Sequence, residues 1–463
     1  MAIKQLTVSS KRLKDSDRLE PKFHRVFSKL DYKKSDKFHT VKLGDDRILK
    51  KITDGEHAGQ TFVKKGIRFI KNSAVKDFSI NINDGFFITE EKHKLQNRSA
   101  LKPLDILFTT IGHLGSAAIV SENLGEANIN QNVVKLEINE KFIDPYYLTA
   151  YLNSSVTKNQ IDALFTGNIH KILTYPKIKN IRIGIPNKQF QKEIANEYQR
   201  AIDYEHQSNL LLKKAEAALY KNLDIDFKKI KHEKIFSVKL SNFKNKLWNP
   251  ACSLPLYVDT LREIKKTTQT TSLKEIAVFK KGNEVGSKNY NTYLDKKVDD
   301  VPFIRTSDIY NSEVDQFPDF YISKEIYEEI NQDLQSGDIL YTNDGKIGLV
   351  AMMTPQDKCI IQSHIKRIRL NQEAKLKHKL TEEYLFLVLS LKEIGGFQAK
   401  KNTVVQSTIP TISNRIGDIE IPILKPATIN ELTEVVKKCF QLKDQKKKLI
   451  SKIKEKIDNY FQV

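Results

Sequence analysis

Few groups in this chain approach the spacing that catalysis requires, and each falls short in a definable way. Asn249-Pro250-Ala251-Cys252 comes nearest to the Asn/Asp-Pro-Pro-Tyr/Phe segment that grips a target amine for methyl transfer. It lacks the second proline and the aromatic ring, and it stands at a domain entrance rather than behind a glycine-rich cofactor loop. Gly282-Asn283-Glu284-Val285-Gly286-Ser287-Lys288 has the composition of a phosphate loop, but its glycine spacing is wrong and no capped helix follows it. A Pro-Asp…Glu-x-Lys nuclease centre would start at Pro318-Asp319 or at Pro103-Leu104-Asp105. The first has no well-placed Glu-x-Lys strand; behind the second, Glu137-Ile138-Asn139 puts asparagine where lysine is needed. The 10 histidines are scattered without metal-ligand spacing. Cys252, Cys359 and Cys439 stand far apart, so neither a disulfide framework nor a thiolate zinc site is expected. The expectation is a chain without catalytic residues, metal or cofactor of its own, suited to a reducing cytoplasm.

Binding is the chemistry that remains. Lys plus Arg number 77 against 57 Asp plus Glu, a net charge of +20 that attracts polyanions. Nucleic acid is the first partner such a surface implies, and a charged membrane surface the second. No membrane insertion is expected: the most apolar stretch, residues 384–391, is far too short to span a bilayer. Residues 1–14 lack the apolar core of a signal peptide. Bases are read by Arg, Lys, Asn, Gln, Ser, Thr and similar side chains on groove-facing loops, and phosphates by Lys, Arg and backbone amides. In the first half of the chain, turns that qualify carry Asp54, His57, Gln60, Asn72, Ser73, His113, Asn168, His170 and Lys171. In the second half they carry Lys281, Asn283, Lys288, Arg305, Thr306, Ser307, Asn343, Lys346, Gln406, Ser407 and Thr408. The competing reading of each is an ordinary solvated loop residue. The lysine run at 443–448 reads as the charged face of a coiled-coil helix, with phosphate tracking as the competing reading.

The elements that position these turns are written twice. Asp105-Ile106-Leu107-Phe108-Thr109-Thr110-Ile111-Gly112-His113-Leu114-Gly115 and Asp338-Ile339-Leu340-Tyr341-Thr342-Asn343-Asp344-Gly345-Lys346-Ile347-Gly348 share the pattern D-I-L-aromatic-T-x-x-G-x-(L/I)-G. Further landmarks repeat in the same order: Phe69-Ile70 with Phe303-Ile304, Tyr147-Leu148 with Tyr384-Leu385, and Ile185-Pro186 with Ile421-Pro422. Near the start, Arg18-Leu19-Glu20-Pro21 faces Leu247-Trp248-Asn249-Pro250. This is a tandem duplication. In each copy the motif predicts a buried strand, a tight glycine turn and a second strand, with Asp105 and Asp338 accepting backbone hydrogen bonds. A third strand follows, then a helix capped by Asp144 before Pro145 or by Thr381, and a last strand ending at a proline. Behind that proline, residues 188–222 and 428–461 place apolar side chains at steps of three and four, the mark of amphipathic helices. Such long helices need a partner, and the simplest is the other, antiparallel. The first would run roughly 52 Å at ~1.5 Å per residue, the length of roughly 15 base pairs of duplex. The fold expected is α+β: two tandem similar domains of mixed strands and helices, separated by two long antiparallel coiled-coil-like helices. The division is 1–186, 187–225, 226–425 and 426–463.

From about Arg18 onward this set of motifs resembles the specificity subunits of type I restriction-modification enzymes. The resemblance rests on the paired D-I-L segments, the openings near Pro21 and Pro250, and Phe303-Ile304-Arg305. It rests also on Gln362-Ser363-His364 before a strand and the Ile-Pro ends preceding long helices. It implies a non-catalytic, sequence-specific DNA-binding subunit with one target-recognition domain for each half of a split site. The implied partners are double-stranded DNA, two methyltransferase subunits docked on the helices, and a motor-nuclease subunit. Asn130-Gln131-Asn132 replaces the Gln-Ser-His of the second copy, so the two half-sites are expected to differ. Three other readings stay open: the recognition subunit of a type IIB enzyme, a self-sufficient nuclease with duplicated domains, and an interaction protein whose helices merely dimerise.

Overall fold

A computed structural model describes residues 7–10, 13–14, 19–32, 37–57, 59–165, 171–230, 233, 235–239, 249–283, 300–406 and 408–461. Asn168, His170, Lys288 and Ser407, with Arg18 and Leu247-Trp248 of the two openings, lie outside them, as does the side chain of Gln406.

In the first copy the strands are β1 (Phe38–Lys42), β2 (Leu49–Asp54), β3 (Ile67–Ile70), β4 (Val75–Lys76), β5 (Ser79–Ile80) and β6 (Phe87–Ile88). They continue with β7 (Ile106–Thr109), β8 (Ala117–Ile119), β9 (Ala127–Ile129), β10 (Val133–Ile138) and β11 (Arg182–Pro186). The helices used below are α1 (Pro145–Leu152), α2 (Ser155–Ala163) and α3 (Lys188–Leu223). The second copy has β12 (Gln269–Ser272), β13 (Ala277–Lys281), β14 (Val301–Ile304), β15 (Ile309–Tyr310), β16 (Glu313–Val314) and β17 (Tyr321–Ile322). After these come β18 (Ile339–Thr342), β19 (Val350–Met352), β20 (Ile360–Ile361), β21 (Ile365–Leu370), β22 (Val404–Gln406), β23 (Ile409–Thr411) and β24 (Glu420–Ile423). Its helices are α4 (Glu382–Ser390), α5 (Phe397–Asn402) and α6 (Pro426–Tyr460).

The duplication extends to strand order. An antiparallel four-stranded sheet β2-β10-β7-β8 answers β13-β21-β18-β19, and β1-β11 answers β12-β24. The three-stranded sheets β6-β3-β9 and β17-β14-β20 each contain one parallel pair, β3 with β9 and β14 with β20. The D-I-L strands β7 and β18 are buried at every position, so their residues need no alternation.

Side chains repeat as well. Tyr147 and Tyr384 donate their hydroxyls to Gly184 O (2.6 Å) and Pro422 O (2.8 Å) of the last strands. Gln160 pairs with both backbone groups of Arg182 (3.0 and 2.7 Å), as Gln398 does with Glu420 (2.9 and 2.8 Å). Asp144 caps α1, and Thr381 caps α4, through backbone amides.

The long helices α3 and α6 have 36 and 35 residues, roughly 54 and 52 Å at 1.5 Å per residue. The chain forms two compact units, residues 1–203 with 448–463 and residues 204–447. Each unit takes a part of each long helix. In the first unit Phe190 stacks on Tyr460 at 4.1 Å, Lys456 pairs with Glu193 and Glu197, and Lys452 pairs with Glu197 at 2.8 Å. In the second, Asn222 meets Thr428 at 3.5 Å and Glu205 meets Lys446 at 3.7 Å. In both, α6 numbers fall as α3 numbers rise, so the pairing is antiparallel. Ala215, Leu219 and Leu223 share one core with Ile429, Leu432, Val436 and Phe440.

The lysine run on α6 corrects the expectation of a charged helix face. Lys443, Lys446 and Lys447 are buried. Lys443 donates to Asn311 O (2.8 Å) in the β15–β16 turn, Lys446 pairs with Glu313, and Lys447 with Asp357 at 2.6 Å. Carboxylates from the domain, invisible to helical periodicity, compensate these charges.

Candidate nucleic-acid interface

Three connectors meet at one end of each four-stranded sheet. The first enters β10 (residues 130–132) or β21 (362–364); the second is the glycine turn after β7 or β18; the third leaves β2 or β13. Main-chain bonds join them identically. Thr110 N donates to Asn132 O (3.0 Å) as Asn343 N does to His364 O (2.7 Å), and Glu56 N donates to Ile129 O (2.8 Å) as Asn283 N does to Ile361 O (3.1 Å). A 3-10 turn joins this end in each copy: Asn130 N donates to Ile70 O (3.1 Å) just before residues 72–74, and Gln362 N to Ile304 O (2.9 Å) just before 306–308.

Glycine makes the convergence possible at two points. A Cβ on Gly55 would lie 2.1 Å from Ile129 O, and one on Gly282 would lie 2.3 Å from Gln362 O. Gly112 and Gly345 hold φ of 79° and 73°, the left-handed region in which the turn reverses. The threonine of the motif locks that turn. Thr109 donates to His113 O and accepts from Ser116 N (2.9 Å), and Thr342 donates to Lys346 O and accepts from Leu349 N (2.9 Å). Asp105 and Asp338 accept the backbone amides of Lys102 (2.8 Å) and Gln335 (2.7 Å), the structural role their repetition predicts.

The candidate residues fall into distinct states. His57 is exposed beside Asp54, which pairs with Arg98 at 2.6 Å. Burial pushes the Asp54 carboxyl up, but hydrogen bonds from Arg98 and Tyr175 outweigh it and hold the group below its ordinary value. Gln60 accepts from Gln96 at 3.0 Å; Asn72 donates to Ile111 O (3.3 Å), and Ser73 to Asp84 (3.3 Å). His113 Nε2 lies 3.7 Å from the buried Asp77, which also takes Ser116 (2.6 Å) and Lys158 (3.0 Å). Burial opposes ionisation of Asp77, yet Lys158, His113 and Ser116 hold its carboxyl far below the usual range. Lys171 stands 3.6 Å from Asp162.

In the second copy Lys281, Lys346 and Thr408 are exposed, and Asn283 accepts from Gln332 at 2.8 Å. Arg305 is clamped by Asp308 (3.1 Å) and Asp319 (2.7 Å) over the Phe320 ring, beside Thr306 and Ser307, whose hydroxyl donates to Asp308 at 3.1 Å. Asn343 is a correction: it is 3 % exposed, and its amide donates to Asp344 at 2.7 Å, so it braces the turn rather than presenting a reading group.

Sequence reasoning placed Gln362-Ser363-His364 and Asn130-Gln131-Asn132 only as family landmarks. The structure sets both at the junction of the connectors; their place directly before a repeated strand was the available signal. The β22–β23 hairpin also docks there, through Gly345 N to Pro410 O (2.9 Å) and Ile412 N to Asn343 O (3.0 Å). Among the described residues no group of His, Cys, Asp and Glu could hold a metal ion, and no helix is long and apolar enough to cross a membrane.

Residues 36–214 and 265–459 match the family described as the type I restriction modification DNA specificity domain. Over 142 residues the chain is 27 % identical to the type I restriction enzyme EcoBI specificity subunit of Escherichia coli. That match covers 31 % of this chain and about 30 % of the relative's length. Among solved structures, the chain is similar to the type-I restriction-modification system S subunit from M. genitalium, at a TM-score of 0.36 and 14 % identity over 94 % of this chain and 97 % of that one. It is also similar to the HsdS subunit from Thermoanaerobacter tengcongensis, at a TM-score of 0.30 and 14 % identity over 93 % and 98 % of the two chains. Matched twice, over more than half its length, the chain belongs to the family of type I restriction-modification DNA specificity domains.

Proposed function

We propose that this chain is the DNA-reading subunit of a type I restriction-modification complex, with each target-recognition domain reading one half of a split, asymmetric duplex site. The observation that carries this reading is the pair of equivalent connector clusters, alike in backbone and different in side chains. Asn130-Gln131-Asn132 stands in one where Gln362-Ser363-His364 stands in the other. Equal frames that present different side chains, Asn132 in one and the part-exposed His364 in the other, suit two different short sequences. The net charge of +20 supplies the non-specific attraction to phosphate. Linking two half-site contacts raises the affinity of the whole above either alone.

On this reading residues 1–186 and 226–425 are the readers, and 187–225 and 426–463 are the spacers that dock two methyltransferase subunits. A motor-nuclease subunit joins for restriction, and the complex works in the cytoplasm. Contacts to DNA fall to His57, Gln60, Asn72, Ser73, His113 and Lys171 in one domain, and to Lys281, Asn283, Arg305, Thr306, Ser307, Lys346, Gln406 and Thr408 in the other. Methyl transfer and cleavage belong to the partner chains. The test is co-purification with a co-expressed type I methyltransferase subunit, followed by duplex binding across a salt series. Stable association and affinity that falls steeply with salt are expected. Cleavage of plasmid by the pure chain with a divalent metal would contradict the reading.

A further inference from the structure

Asp344 sits where three connectors of the second domain meet. One carboxylate oxygen accepts from Asn343 Nδ2 at 2.7 Å, and the other lies 2.9 Å from His364 Nδ1. The β22–β23 hairpin meets the same residue through the Asp344–Thr411 bridge, so this part-buried aspartate joins the glycine turn, the connector before β21 and the hairpin. Burial would raise this carboxyl; the bonds from Thr411 and His364 outweigh it and keep it ionised. An ionised carboxylate accepts only, so Nδ1 of His364 carries the proton at that contact. In the neutral ring Nε2 is then an acceptor. The His364 side chain is 40 % exposed, and Nε2 has no protein partner among the described residues. The first copy lacks the device, with Ile111 at the position of Asp344 and Asn132 at that of His364.

We propose that His364 is a base-reading residue of the second domain and Asp344 its positioning residue. Together they present a hydrogen-bond acceptor in the major groove to an exocyclic amine, adenine N6 or cytosine N4. The proposal rests on the DNA-reading function above and adds the residue, its tautomer and the class of base it selects. Two bases carry such an amine in the major groove, and selection of sequences separates them.

The test is selection from a library of randomised duplexes by the full-length chain with its methyltransferase, for the native protein, His364→Asn and Asp344→Asn. The native chain is expected to select one base pair, A·T or C·G, at one position of one half-site, and to need the exocyclic amine of its adenine or cytosine. His364→Asn carries the residue of the first copy. It is expected to alter the preference at that position alone, by about 10-fold, with the other half-site and the melting temperature unchanged. Asp344→Asn is expected to blunt the same position and no other. Three outcomes overturn the proposal. Two are an unchanged base profile in His364→Asn, and a uniform loss of affinity over all sequences, which marks a phosphate contact. The third is unchanged binding when the exocyclic amine at that position is removed, with purine in place of adenine or 2-pyrimidinone in place of cytosine. If the native chain selects a split site and the His364 variant leaves it intact, only this inference falls; if the native chain selects no sequence, the DNA-reading function falls with it.

Discussion

Glu313 illustrates how a single side chain decides what a run of lysines means. Burial pushes its carboxyl up, but Lys443, Lys446 and Lys447 outweigh burial and hold it at about 2, against an ordinary 4.5. A carboxyl depressed in the folded state stabilises above its unfolded value and loses that contribution as pH falls. The window here is pH 4.5 down to 2. Glu313→Gln leaves the buried Lys443 without a carboxylate and Lys446 with only Glu205 at 3.7 Å, and is expected to cost about 3–5 kcal/mol at neutral pH. It should also flatten the acid dependence of unfolding through that window, read by thermal melts at stepped pH. A variant as stable as the native chain, with unchanged acid sensitivity, would show that the cluster does not hold the β15–β16 turn to α6. None of this was legible in the sequence. Consecutive lysines on a helix look solvated until the carboxylates that face them, more than 80 residues away, are placed by the fold.

At the scale of elements, the connectors depend on backbone proximity more than on side chains. Gly282→Ala would drive a Cβ into two carbonyl oxygens at 2.3 Å, so the segment leaving β13 must move away from the one entering β21. Duplex binding weakened several-fold, with a lower melting temperature, is the expected outcome; native-like binding and stability would show that the cradle tolerates separation. The repeated glutamines give a paired expectation. Gln398→Ala leaves an amide and a carbonyl of Glu420 without their partner, and Gln160→Ala strips the Arg182 amide of its partner and leaves its carbonyl to the Tyr151 hydroxyl alone. Each should lower stability by about 2–4 kcal/mol in denaturant titration, since buried polar groups left unpaired cost about 1–3 kcal/mol each. Much of this frame could be read in advance. The D-I-L strands, the caps at Asp144 and Thr381, and both long helices came from local patterns, and they end within a few residues of expectation. The parallel pairs β3 with β9 and β14 with β20 did not, because strands of two to four residues gain their identity from distant neighbours. For the same reason Asn343 looked like a contact: its type suits base reading, and only the packed turn buries it.

For the whole molecule, duplication followed by divergence at the connectors is the property from which function follows. The repeat, the paired helices and the family could be read from ordered landmarks, whereas the bases selected could not, since they depend on side-chain placement within ångströms. The central claim is that two unlike readers in one chain direct the chemistry of other chains to a two-part site. The most direct measurement is single-molecule sequencing of methylated bases in a host that expresses this chain with its methyltransferase and lacks other modification systems. The account predicts one motif made of two unequal half-sites across a fixed gap, absent when this chain is omitted. Methylation of a single continuous sequence, or an unchanged pattern without this chain, would contradict it.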